Sequence, residues 1–306
     1  MKHNVKMTIL ILSMFLVTQF IGLYVVDNYA KQRVVNGEIN FVENPNILPY
    51  GMDVPEVEST SYQNNFVSIM ISFVIAILIL FLLTHVKAKL VLKTWFFLVT
   101  MIALGISFNS FLPHWTFAPW IALGIALPLA IFKVYKRGFL SHNFSELLIY
   151  PGIAAVFVPL LNLKTAIILL VVISIYDMWA VWKSKIMQKM AKFQMNELNI
   201  FSGFFIPYAS KKQREKIKHM KETDKKGKGM KVNVAILGGG DVIFPIITSG
   251  VVLKTWGIWP AVAVILGALL GLGSLLFFSE KKKFYPAMPF ISAGIFLALL
   301  ISWIII

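Results

Sequence analysis

Nine runs of mostly apolar residues dominate the sequence, at 7–26, 66–83, 94–112, 115–132, 147–163, 165–182, 232–253, 255–279 and 284–306. Each has the length, about 17–25 residues, that an α-helix needs to cross a bilayer. No water-soluble core can hide that much apolar surface. Hydrophobic residues make up 58% of the 306 residues and charged residues 14%, against about 45–50% and about 25% in soluble domains. The surplus must face lipid, and the expected fold is an all-α integral membrane protein with nine transmembrane helices. The first run follows Lys2 and Lys6, as a secretory signal would. It is long for one and lacks a small-x-small cleavage site, so it reads as a span. With no cysteine in the chain, disulfides, thiolate catalysis and Cys-bound metals are excluded.

Basic residues orient the bundle. With alternating spans and a cytoplasmic N-terminus, 25 of the 29 Lys and Arg fall on the inner side and four on the outer: Lys31, Arg33, Lys164 and Lys254. The positive-inside rule then places the N-terminus in the cytoplasm and the C-terminus outside. Trp115, Trp120, Trp256 and Trp259 fall at outer boundaries, and Trp95, Trp179 and Trp182 at inner ones, as interfacial aromatics do. Three regions follow: a six-helix part over 1–182 with an acidic outer loop at 27–65, a basic cytoplasmic loop at 183–231, and a three-helix part over 232–306. The basic loop, with its cluster at 211–218, reads as a solvated topology signal that anionic headgroups also attract. Gly267-x-x-x-Gly271 is a small-residue pattern for close helix packing. There is no internal repeat of the transporter kind.

By this division only two of the Lys, Arg, Asp and Glu residues lie inside the spans, Asp177 in the sixth and Asp241 in the seventh. A charge in a span costs about 2.5–3.5 kcal/mol on insertion scales and marks a functional site by default. Counted from the inner ends, the two depths overlap, so antiparallel neighbours can bring the carboxyls face to face. Two carboxyls about 3 Å apart share one proton. One is then a base for water and the other an acid for a carbonyl oxygen or leaving amine. Gly238-Gly239-Gly240, directly before Asp241, invites unwinding, which lipid tolerates only where backbone lines a cavity or is buried. Unwound backbone would also bind an extended peptide by strand addition. Pro245 withholds a donor from the Asp241 carbonyl and loosens the helix further. Pro286-Ala287-Met288-Pro289 breaks regular helix at the start of the ninth run and is a candidate wall of the site.

These residues resemble a known family. Tyr176-Asp177-x-x-Ala180-Val181 is similar to the Tyr-Asp motif of presenilins, Gly238-x-Gly240-Asp241 to their Gly-x-Gly-Asp motif, and Pro286-Ala287-Met288-Pro289 to their Pro-Ala-Leu-Pro. The order of motifs, the nine spans and the long loop between the sixth and seventh also match. The presenilins and signal peptide peptidases are intramembrane aspartyl proteases. The resemblance implies cleavage of peptide bonds within membrane-spanning helices by Asp177 and Asp241. It implies supporting roles for Tyr176, Gly238, Gly239, Gly240, Pro286, Ala287 and Met288. Met288 stands where the family has Leu, and Gly239 at the variable position is expected to loosen the segment. Prokaryotic relatives act without partner subunits, so the expected partners are transmembrane-helix substrates and the lipid bilayer. No obligatory subunit, nucleic acid, metal or other cofactor is expected, and the expected location is a prokaryotic plasma membrane.

Other classes fit less well. A zinc protease needs His-Glu-x-x-His, a rhomboid-type serine protease needs an intramembrane His, and neither is present. A dinucleotide loop needs a glycine at position 243, which is Ile243. The rival from another class is a proton or cation transporter that uses the two Asp as a relay.

Overall fold

The computed structural model describes residues 5–35, 38–42, 46–52, 61–113, 115–136, 138–184, 198, 200–208, 233–279 and 285–305. Nine helices run through them: α1 Val5–Asn28, α2 Ser61–His85, α3 Lys89–Phe111, α4 Ala118–Tyr135, α5 Phe139–Phe157, α6 Leu163–Met178, α7 Gly239–Trp256, α8 Ile258–Phe278 and α9 Met288–Ile305. A 3₁₀ turn, Val158–Leu160, extends α5, and a π-helical turn, Trp179–Ser184, extends α6. Eight of these helical segments are long and apolar enough to cross a membrane; α7 is not among them. Side chains such as Leu78, Trp259, Leu270 and Trp303 stand more than 60% exposed. That apolar belt suits lipid and would aggregate in water.

The structure corrects the sequence reading at three places. First, the mostly helical fold also holds two short strand pairs. β1 (Gln32–Val35) pairs antiparallel with β2 (Glu38–Phe41), and β3 (Gly203–Tyr208) with β4 (Asn233–Gly238). Second, the seventh apolar run is not helical from its start. Its start is the strand β4, and the helix begins at Gly239. An alternation of Val234, Ile236 and Gly238 with Ala235 and Leu237, the latter two buried, suits a strand with one covered face. Third, α5 begins at Phe139, two turns before the apolar run, and α4 continues to Tyr135. Lys133, His142 and Glu146 are therefore helical, so Asp177 and Asp241 are not the only ionisable residues in these helices. The basic cluster at 211–218 and the acidic residues Glu43, Asp53, Glu56 and Glu58 lie outside the described residues.

The centre of the bundle is α1, α5 and α7 packed on one another, with α3 and α4 against one side of α5 and α8 and α9 against α7. Phe15 of α1, Tyr150 and Ala154 of α5, and Ile246 of α7 share one buried cluster. The contacts are close because small residues let backbones meet, as packing in lipid requires. A Cβ at Gly267 would meet the Gly294 carbonyl of α9, and one at Gly152 the Ala103 carbonyl of α3. Gly267-x-x-x-Gly271 is thus a packing seam. At the turn into α8, Gly257 has φ +93°, a value that L side chains disfavour.

On the loop side of α1 and α3, Tyr29 donates to the Ile106 carbonyl and accepts from Asn109 Nδ2, and Tyr50 donates to the Pro119 carbonyl. Burial pushes both phenols up to about 12. α2 packs loosely at the margin, and none of its apolar window is buried.

Candidate active site

Asp177 lies in the last turn of α6. That helix starts at a capping box, in which Asn162 Oδ1 accepts from the Thr165 amide and Thr165 Oγ1 from the Asn162 amide, both at 2.9 Å. The wider π turn follows directly, and such turns recur at functional sites. Asp177 is 5% exposed, so its carboxylate must find partners inside the protein. It finds them at the first residues of α9. The Met288 amide donates to Asp177 Oδ2 at 3.1 Å. A helix N-terminus has amides without intrahelical acceptors, which makes it a ready seat for an anion. Pro289 has no N–H to satisfy and suits the first turn. One turn into α9, Ser174 Oγ donates to Ser292 Oγ at 2.9 Å, a second tie between α6 and α9.

Asp241 lies in the first turn of α7, where no side chain caps the helix from Gly238. Its carboxylate folds back over Gly238, where a Cβ would stand 3.2 Å from Asp241 Oδ2. α6 and α7 pack together, with Asp177 in the last turn of one and Asp241 in the first turn of the other. The structure therefore sets the two aspartates on packed helices, Asp177 held by the Met288 amide at the start of α9 and Asp241 in the first turn of α7.

The supporting residues fall as follows. Gly238 is extended, with φ −65° and ψ 147°, and ends β4. Gly239 and Gly240 are the first residues of α7, so the glycine triplet is unwound only at its first member. Pro245 is buried within a continuous α7 rather than breaking it. Gly239 is not a loosening residue. Its missing Cβ would stand 2.7 Å from Tyr150 Oη and 2.9 Å from Ser202 Oγ, so any side chain collides with two neighbours. Pro286 and Met288 are buried and Ala287 half-buried beside Asp177. Tyr176 packs edge-on against Phe73 of α2, centroids 6.3 Å apart, and tilts against Trp179 at 6.2 Å. It links α2 to the Asp177 helix as an ordinary packed aromatic.

The sequence reading missed a polar stripe on α5. His142, Asn143, Glu146 and Tyr150 recur at the spacing of one helical face. That spacing is the signal that would have found them. Lys133 of α4 and Glu146 form an ion pair, with side chains 2% and 0% exposed. His142 Nε2 lies 3.6 Å from Glu146 Oε1 and 2.9 Å from the Gly203 carbonyl. From α1, the buried Gln19 donates to the Val242 carbonyl at 3.0 Å, next to Asp241.

Fold and site together define a multi-pass helical membrane protein with two aspartates on packed helices, Asp177 buried and seated on a helix start and Asp241 half-buried in the first turn of its own helix. A family model described as "Signal-peptide peptidase, presenilin aspartyl protease" matches residues 46–306. The chain belongs to that family. Two solved structures described as a presenilin family intramembrane aspartate protease, in C222 and P2 space groups, share its fold. Each covers 97% of this chain with 97% of its own, at TM-scores of 0.57 and 0.58 and identities of 18% and 17%. No curated protein matches the chain in sequence.

Proposed function

We propose that this chain hydrolyses peptide bonds within transmembrane helices, with Asp177 and Asp241 as an acid–base pair acting on one water molecule. The observation that carries the reading is the seating of Asp177 on the Met288 amide at the start of α9, with Asp241 in the first turn of α7, which packs on the Asp177 helix. One carboxylate takes a proton from water as its oxygen attacks the scissile carbonyl carbon. The other carboxyl gives its proton to the carbonyl oxygen. Collapse of the tetrahedral diol breaks the C–N bond, and a proton delivered to nitrogen releases the amine. No covalent enzyme intermediate forms. Which Asp starts as the acid belongs to the pair rather than to either residue.

A helical substrate must unwind at the scissile bond, and its freed backbone groups then need partners. Strand addition to β4 supplies them. The register pairs Phe205 with Ile236, and both backbone groups of Phe205 are spent on Asn143. This is therefore a non-hydrogen-bonded pair, and the N–H and C=O of Ile236 point to the opposite edge. That edge leads straight to Gly238 and Asp241. Tyr176, Gly238, Gly239, Gly240, Pro286, Ala287 and Met288 support the dyad by packing and by backbone donors.

The topology that fits this chemistry has nine spans, α7 included, with the N-terminus in the cytoplasm, the C-terminus outside and the basic loop 183–231 cytoplasmic. The parts 1–182 and 232–306 meet at the dyad, in a prokaryotic plasma membrane and without obligatory subunits. The test uses purified chain and a helical membrane substrate in detergent, with and without a transition-state-mimicking aspartyl protease inhibitor. Cleavage that the inhibitor blocks, and that Asp177→Ala and Asp241→Ala each abolish in folded protein, supports the reading. Cutting by both variants sinks it, as does ion flux in liposomes without any cleavage.

A further inference from the structure

The α5 stripe has no part in the hydrolytic step, yet it spends costly buried polar groups on one strand. Asn143 Nδ2 donates to the Phe205 carbonyl at 2.9 Å, and the Phe205 amide donates to Asn143 Oδ1 at 3.1 Å. A carboxamide that takes both groups of one residue does what a residue of a third strand would do. Two residues earlier on the same edge, His142 Nε2 meets the Gly203 carbonyl. A carbonyl only accepts, so Nε2 carries the proton. Glu146, fixed by Lys133, stands beside that nitrogen. Gly203 has φ +134°, and a Cβ there would meet the Leu237 carbonyl of β4, so the strand end is pinned from both sides.

We infer that His142, Asn143 and Glu146 are positioning residues that act as a surrogate third strand. They close the β3 edge and set the register of the β3–β4 sheet against the bundle. A strand with an open edge pairs with whatever extended chain arrives, and a sheet of only two strands is marginal alone. Closing β3 leaves β4 as the edge for an extended peptide. It also holds β4 where it runs into Asp241, so the bond presented to the dyad is chosen by a contact made on α5. This inference rests on the protease reading for its consequence, though not for its geometry.

The experiment uses the full chain in detergent micelles. In Asn143→Ala, the Phe205 amide is expected to exchange with deuterium at least about tenfold faster, because only a side-chain bond protects it. The amides of Phe204 and Ile206, which face β4, should change less. Asn143→Asp keeps the acceptor for the Phe205 amide and should retain that protection, and it serves if the alanine variant folds poorly. On a helical substrate, Asn143→Ala should lower kcat by about 10²-fold, the order expected for misplacement by about 1 Å, with KM little changed. Its products, read by mass, should shift to neighbouring bonds. Unchanged exchange at Phe205 overturns the inference, and so does slower cleavage with an unaltered product pattern. If wild type cleaves nothing, the protease reading fails while the exchange arm still decides what Asn143 does.

Discussion

Gly271→Ala adds one methyl group to the seam where α8 crosses α9. That methyl would stand 2.9 Å from Ile291 Cα and 2.9 Å from the Phe290 carbonyl carbon, with the Phe290 oxygen closer still. Ordinary carbon contacts lie at about 3.5–4.0 Å, so the two backbones must part by roughly 1 Å. Overpacking of this kind costs about 1–3 kcal/mol. Phe290 and Ile291 are two and three residues after Met288, whose amide reaches Asp177 at 3.1 Å. A shift of that size carries the contact past the limit of a hydrogen bond and leaves a buried carboxylate short of a donor. The expected result is a lower thermal midpoint and a fall in kcat of about 10²-fold. Gly273→Ala is the control, because its Cβ would meet only Leu12 Cδ1 at 3.9 Å. Stability by thermal unfolding and cleavage of a helical substrate give the two readouts. A Gly271→Ala protein with wild-type stability and rate would refute the coupling from the α8–α9 seam to Asp177.

Two further outcomes follow from the same physics. Lys133→Met strands Glu146 in a buried site and should destabilise the protein by about 3–5 kcal/mol, whereas Lys133→Met with Glu146→Gln should recover much of that loss; a double variant no more stable than the single one argues against the pair. Tyr29 and Tyr50 ionise near 12 when folded and near 10.0 when unfolded. The unfolded state therefore loses its protons first, and stability is held below pH 10 and falls as pH rises toward 12. Tyrosinate absorbance against pH should show both phenols titrating late, and titration of all tyrosines near pH 10 in folded protein would contradict the burial of these two.

Much of the architecture was legible along the chain because burial in lipid is a local property of a run of residues. The eight membrane-length helices fall on eight of the nine apolar runs. Boundaries were less legible. A cut at Leu147 excluded Glu146, because a charge at the end of an apolar run looks like an interface until its partner is known. Lys133 supplies that partner from α4, and the pair lets the helices continue.

Sequence alone determined that this chain belongs in a bilayer and singled out Asp177 and Asp241, since isolated acids in apolar runs need no knowledge of contacts to be noticed. Which groups hold them was decided only by the tertiary structure. Met288 reaches Asp177 across 111 residues and Asn143 reaches Phe205 across 62, and Gly239 is required by Tyr150 and Ser202 rather than by its own helix. Hydropathy acts on each segment separately. A hydrogen bond or a collision between distant segments exists only once the helices have chosen their neighbours.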